Sequence, residues 1–146
     1  MKALVSYTLF LLLITGCQKE ATDISASIDQ IDFSTDKQSY TLLDSIKLNL
    51  TNNTDDDIII ELRCGFYLEM FYQKKENSNW SDDLWFGYMS LRCPTELDTI
   101  PASSTYTHSL HANIFNSTGT FRLLVEVHKP TMNNSETIIS NSFKIE

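Results

Sequence analysis

The sequence predicts an all-β chain folded as a two-sheet antiparallel sandwich of about seven or eight strands, and three observations predict it. Several short stretches alternate apolar and polar residues with the two-residue period of a half-buried strand. Clusters of Asn, Asp, Ser, Gly and Pro punctuate those stretches at short intervals. No stretch keeps a 3.6-residue period long enough for a helix, and no internal repeat or second domain is visible.

Taken in order, residues 45–51 alternate cleanly, with Ile46, Leu48 and Leu50 on one face and Lys47, Asn49 and Thr51 on the other. The run from Asn52 to Asp57 is a turn cluster, and Ile58-Ile59-Ile60 opens the next β-branched strand. Residues 66–73 form an aromatic strand, with Phe66, Leu68, Met70 and Tyr72 opposing Tyr67, Glu69 and Phe71. Polar residues 74–81 make a loop around Trp80, and residues 84–91 are a further candidate strand. Pro101 begins a turn before the strand 105–111. Asn116 to Gly119 is a turn before Phe121, Leu123, Val125 and Val127, which alternate with Arg122, Leu124, Glu126 and His128. A last turn, 130–135, precedes a strand ending near Ile145.

Within this pattern Tyr40, Asp44, Ile46, Leu48, Asn52 and Thr54 follow the order Tyr-x3-Asp-x-Ile-x-Leu-x3-Asn-x-Thr. A lone Trp80 follows the aromatic strand, and Gly119-Thr120-Phe121-Arg122 opens a late one. Together these resemble the immunoglobulin-like domains of bacterial envelope lipoproteins, and they are similar to the proteinase-inhibitor-like sandwiches of Gram-positive bacteria. The resemblance spans residues 36–128 and implies an immunoglobulin-like fold. Its residues are packing and turn residues, so it carries no activity. The family usually has Tyr where Phe121 stands, and Phe121 can pack there but cannot tie a corner through a hydroxyl.

The first residues make a leader. Lys2 supplies a positive start, and Ala3 through Ile14 is an apolar run too short to span a bilayer. The run ends at Ile14-Thr15-Gly16-Cys17, which resembles the lipobox of bacterial lipoproteins. The resemblance implies a signal peptide over residues 1–16, lipidation of Cys17 and a polar tether over 17–27, leaving 28–146 as the sandwich domain. Several acyl chains on Cys17 give a stable membrane anchor. Gln18-Lys19-Glu20 resembles the surface-export signal of Bacteroidota lipoproteins, which implies an outer-membrane address facing the periplasm or the cell exterior. A plain polar tether is the alternative reading of those residues.

Removal of the leader resolves the cysteines. With Cys17 lipidated, Cys64 and Cys93 remain, and in an oxidising compartment they most simply pair as a disulfide. Two free buried thiols or a metal pair are the alternatives, though a structural zinc site wants four ligands and no second pair exists. Lys2 leaves with the leader, so 10 Lys and Arg face 19 Asp and Glu, a net charge of −9. Such a surface does not favour nucleic acid or anionic lipid. The expected membrane contact is through the lipid alone, and the expected state is a monomer.

Catalytic and metal motifs are absent. There is no G-x-S-x-G elbow, H-E-x-x-H, Walker loop or dinucleotide fingerprint, so no catalytic residue and no cofactor is assigned. His108 and His111 are the best metal pair on paper, but an i, i+3 spacing on a strand points them to opposite faces. Asp55-Asp56-Asp57 could offer oxygens to Ca²⁺ with a partner such as Glu96 or Asp98, but no EF-type spacing exists, and the run reads foremost as a solvated turn that keeps an edge from pairing. No metal site is expected.

The central aromatics are the candidates for binding. Tyr67, Phe71, Trp80 and Trp85 fall close together, and one core absorbs only part of such a cluster. Displayed side by side they would form a patch for a protein or glycan partner. This gives a first reading, a non-enzymatic binding or assembly module. The second is a protease inhibitor, acting through a protruding loop at residues 77–83 or 92–98. Asp44-Ser45-Ile46 and Asp98-Thr99-Ile100 resemble the Bacteroidota O-glycosylation motif, which makes Ser45 and Thr99 candidate glycan carriers.

Overall fold

The computed structural model describes residues 30–130 and 135–146. The leader, Cys17 and the tether lie outside the described residues, as do the central residues of the last turn. The described chain is an all-β sandwich of two sheets, with a short 3-10 turn at two corners.

The smaller sheet has three strands, β1 (Ile31–Thr35), β3 (Ser45–Asn52) and β10 (Ser104–His111), in the order β1-β3-β10 and all antiparallel. The larger sheet is organised around β11 (Gly119–His128). That strand pairs with β6 (Met70–Glu76) and, at His128, with β4 (Ile58–Arg63). It also pairs with β12 (Ser135–Ile139) and β13 (Phe143–Ile145). β9 (Thr95–Ile100) and β5 (Tyr67–Leu68) pair with β4. β7 (Asn79–Trp80) and β8 (Leu84–Trp85) pair with β6. β2 (Ser39–Tyr40) joins β13 in the one parallel pairing among the described strands.

The alternation read from the sequence is what places the core. Ile46, Leu48 and Leu50 of β3 and Phe121, Leu123, Val125 and Val127 of β11 are all buried, and the two sets face each other between the sheets. Phe115, Phe121 and Phe143 form an aromatic centre, with ring centroids 4.8–6.2 Å apart. Phe121 fills its position wholly by packing, and Lys74 Nζ lies 5.6 Å from its ring centroid.

The six-residue motif around β3 proves to hold turns. The buried Tyr40 donates its O–H to Asp36 at 2.7 Å, and Lys37 N–H donates to the same phenol oxygen at 2.8 Å. Burial and that donation push the Tyr40 phenol up to about 12. Burial acts to raise Asp36, but the bonds from Tyr40 and from Lys47 N–H outweigh it and hold the carboxyl below its usual range. Asp44 accepts from Thr41 N–H and Oγ. Asn52 is fully buried, and its amide donates to the carbonyls of Asp56, Ile100 and Pro101 while its oxygen accepts from Thr54. One side chain thereby ties the end of β3 to the 55–57 turn and to the β9–β10 crossover between sheets.

Three expectations need correction. Phe66 is not a strand residue and is exposed, because Cys64 and Gly65 both take left-handed backbone and close a three-residue turn ahead of β5. The positive φ of Gly65 favours glycine there, and a Cβ would only push aside the flexible Glu96 carboxylate, 2.9 Å away. Residues 84–91 do not continue as one strand. β8 stops after Trp85 and the chain folds into the 3-10 turn Gly87–Ser90, which carries Tyr88 onto the core. Residues 74–81 are not a loop, since β6 runs to Glu76 and returns as β7 across the turn residues 77 and 78, with Asn77 left-handed.

Candidate functional site: the outer face of the larger sheet

Strands β4, β6 and β11 each turn every second side chain away from the core, and those side chains assemble an aromatic and acidic face. Register places Ile139, Leu124, Phe71 and Trp85 in one row across four strands. Trp85 is 64% exposed, and its ring meets Phe71 edge-on at 4.8 Å. The adjoining row pairs Arg122 with Gln73. Arg122 Nε donates to Gln73 Oε1 at 2.6 Å, and Gln73 Nε2 donates to Asp83 at 2.7 Å. The Arg122 guanidinium lies 4.4 Å from the Trp80 ring centroid, a cation–π contact that props the β7 tryptophan over the sheet.

Beside Phe71 and Trp85 the sheet opens into a small groove of about 120 Å³, lined also by Met89, Glu61, Glu69 and Glu126. Glu69 accepts from Thr95 Oγ and sits 3.7 Å from Arg63 Nη1. Glu61 Oε1 lies 3.2 Å from His128 Nε2 without hydrogen-bond geometry. Glu126 is exposed and forms no ion pair among the described residues. The groove therefore combines aromatic faces with carboxylates that are only partly neutralised, which suits a cationic side chain.

The structure brings together three of the four residues expected to form the patch. Phe71, Trp80 and Trp85 share this face. Tyr67 does not join them, because the 3-10 turn carries Tyr88 beside it and the two rings stack at 4.9 Å with an interplanar angle of 11°. Tyr67 is thereby drawn toward the core edge and into a different cleft. Sequence reasoning did not single out Arg122, Leu124 or Ile139. The signal for Leu124 was present, since it is the apolar member of the outward-facing set of β11.

The remaining candidates stand as follows. Cys64 and Cys93 form a disulfide with Cα atoms 5.1 Å apart, linking the β4–β5 turn to the approach of β9. His108 is half-buried and His111 exposed, on opposite faces of β10, and burial lowers the His108 pKa. The Asp55–Asp57 turn is used internally, with Asp57 accepting from Ala102 N–H at 3.0 Å. Among the described residues no three His, Cys, Asp or Glu side chains are grouped to hold a metal ion. Ser45 opens β3 and Thr99 lies in β9, both exposed. Of the two loops considered for protease inhibition, 77–83 is a hairpin tip followed by β8. Residues 95–98 lie within β9 and are paired along β4, so the 92–98 segment cannot protrude as a loop. No helix of the described residues is long and apolar enough to cross a membrane. Compared with known proteins, the chain matches no family model and no curated protein.

Proposed function

We propose that this chain is a lipid-anchored cell-envelope lipoprotein whose immunoglobulin-like sandwich is a non-enzymatic binding or assembly module, docking a protein partner on the outer face of its larger sheet. The observation that carries the reading is the gathering of Phe71, Trp80, Trp85 and Arg122 on one sheet face, with Trp85 mostly exposed. Trp, Tyr and Arg are the residue types that dominate binding energy at interfaces, and here two tryptophans and an arginine are already held in place by neighbours. Glu61, Glu69 and Glu126 beside them favour a partner that presents a basic side chain. The lipobox-like Ile14-Thr15-Gly16-Cys17 supports the anchor and the envelope address, and the acidic balance of the chain supports a domain that stands off anionic membrane surfaces. The turn-holding roles of Tyr40, Asp44, Asn52 and Thr54 support the immunoglobulin-like reading, since those residues carried the resemblance.

The test is photo-crosslinking in cells from a benzophenone side chain placed at position 85. The expected result is a discrete adduct that weakens strongly in the Phe71→Ala background. Lack of any adduct at position 85, with adducts from β3 or β10 instead, overturns the docking face. Labelled palmitate on the chain, lost in Cys17→Ser, tests the anchor separately.

A second reading, protease inhibition, is favoured by one feature. The β6–β7 hairpin projects a tight two-residue turn, braced by Lys75 and Arg122 against Trp80. An absence of inhibition across serine, cysteine and metalloprotease panels at micromolar protein removes it.

A further inference from the structure

The two edges of the smaller sheet are treated differently by the fold. The β1 edge is tied to the rest of the chain. Asn141 accepts from Thr35 N–H at 2.8 Å and donates to Thr35 Oγ1 at 2.9 Å, and β1 also lies against β12. The β10 edge has no such cover among the described residues. β10 pairs with β3 on one side and with no strand on the other, and no turn or loop residue supplies a backbone hydrogen bond to Ser104–Leu110.

The composition of β10 makes that openness unusual. Its eight residues, STYTHSLH, contain no charged side chain, proline or glycine. Natural sheets protect long edges with charges, proline, bulges or a covering element, because a bare edge is a row of unpaired N–H and C=O groups that templates another strand. In a chain with 21% charged residues, an uncharged eight-residue edge is an exception.

A second observation lies at the same place. A cleft of about 500 Å³ opens at the C-terminal end of this edge. Its apolar wall is made by the stacked Tyr67 and Tyr88 rings with Leu110 and Ile114. Both faces of β10 reach it, His108 and Leu110 from the inward side and Ser109 and His111 from the outward side, so the cleft wraps around the open edge. No charged side chain lines it. A cleft of this volume holds a large side chain with room to spare.

We propose that the open edge of β10 is a strand-addition site for an extended, uncharged peptide segment of a partner protein, which pairs along Ser104–His111 and seats one apolar or aromatic side chain in the Tyr67–Tyr88 cleft. Only an extended backbone matches the repeat of a strand edge, so the edge sets the class of ligand, while the cleft sets its sequence preference. The uncharged lining selects against Asp, Glu, Lys and Arg at the seated position, since burying an unpaired charge there is costly. This site is on the opposite sheet from the proposed docking face and stands or falls independently of it.

The experiment uses the full-length chain in detergent micelles and an unbiased random dodecapeptide library. Enriched peptides are expected to alternate, with an uncharged apolar or aromatic residue at one fixed position. Bound peptide is expected to slow amide hydrogen exchange in Ser104–His111. Thr107→Lys/His111→Lys should weaken binding by about tenfold or more, because it charges the edge. The directly opposite residues, Asn49 and Ser45, are uncharged, while Lys47, opposite Ser109, is the diagonal neighbour of both positions, so the unfolding midpoint of the double lysine variant is measured alongside its binding. The unfolding midpoint of Thr107→Lys/His111→Lys, expected close to that of the natural chain, controls for folding, and Phe71→Ala/Trp85→Ala on the opposite sheet should leave peptide binding unchanged. A library that yields no binder, or binders indifferent to Thr107→Lys/His111→Lys, overturns the proposal. A concentration-dependent dimer with the same exchange protection in the absence of peptide overturns it in favour of a second copy of this chain. Saturable binding of neutral trisaccharides in the cleft without protection of the edge overturns it in favour of a glycan.

Discussion

Along β11, Phe121, Leu123, Val125 and Val127 are at most 2% exposed and face the smaller sheet, while Arg122, Glu126 and His128 from the intervening positions face away from it. The same contrast runs along β6, where Met70 is fully buried and its neighbour Phe71 opens onto the outer face. The inner set has every apolar contact met within the chain. The outer set includes two large aromatics, one of them mostly exposed, whose burial the described chain leaves incomplete. Identical backbone geometry thus serves stability on one side and, in our reading, recognition on the other. The difference is testable because inner and outer substitutions should separate folding from binding.

The largest effect is expected from the inner face. Phe121→Ala removes a wholly buried ring from the aromatic centre and should destabilise the fold by about 3–5 kcal/mol, read from urea or guanidinium unfolding. If Phe121→Ala cost no more than an outer-face substitution, the division between the faces would be wrong.

Next comes the covalent link at the edge of the larger sheet. Cys64→Ala/Cys93→Ala opens a cross-link between residues separated by 29 positions. In the chain-entropy account it should cost about 3–4 kcal/mol, measured as a shift in unfolding midpoint. The bond fixes the approach of β9 against β4 and so the position of Thr95, which holds Glu69 in the groove. Loss of partner binding at temperatures where the variant remains folded would show that the link serves the outer face as well as the fold.

How far the sequence reveals the two faces depends on how local the cause is. In β3 buried and exposed positions alternate along all eight residues, and in β11 the alternation from Phe121 to Val127 is interrupted only at Leu124, so the core face is legible from the letters alone. The aromatic stretch after Cys64 is less legible, because its strand start is set by the left-handed backbone at Cys64 and Gly65 and not by apolar periodicity. Residues 84–91 mislead for a related reason. Phe86 and Tyr88 are buried two apart, as strand residues would be, yet a 3-10 turn delivers both onto the aromatic core. The patch was legible in residue type but not in membership. Phe71, Trp80 and Trp85 converge because β7 and β8 both return to β6, whereas Tyr67 lies in β5, which pairs with β4 and is separated from β6 at Glu69, and its ring stacks on Tyr88. Likewise the motif Tyr40, Asp44, Asn52 and Thr54 was visible as spacing, while its work of tying turns depends on long-range carbonyls at Ile100 and Pro101.

A smaller stability effect is expected from the outer face itself. Phe71→Ala/Trp85→Ala removes an edge-on aromatic pair on a solvent-facing surface and should cost about 1 kcal/mol or less. Binding to a protein partner should fall by at least about tenfold, as for a truncated hot spot. Equal losses of folding and binding would return the pair to the core and leave the outer face without a separate role.

The smallest effect comes from His108, which probes the opposite sheet through pH. Its ring is half-buried on the inward side of β10, and burial lowers its pKa below the ordinary 6.5. In the unfolded chain the imidazole takes up a proton as pH falls through 6.5, while the folded chain resists until the lower value is reached. Between those two values the unfolded state binds more protons, so stability declines as pH falls through that window and is unaffected by this group above it. His108→Asn cannot titrate, and its unfolding midpoint should fall less than that of the natural chain between pH 7 and pH 5. The outer-face pair Phe71→Ala/Trp85→Ala should keep the natural slope, because neither residue touches His108. A natural chain with the same slope as His108→Asn would mean that β10 leaves this imidazole as free as solvent does, and that its inward placement has no energetic consequence.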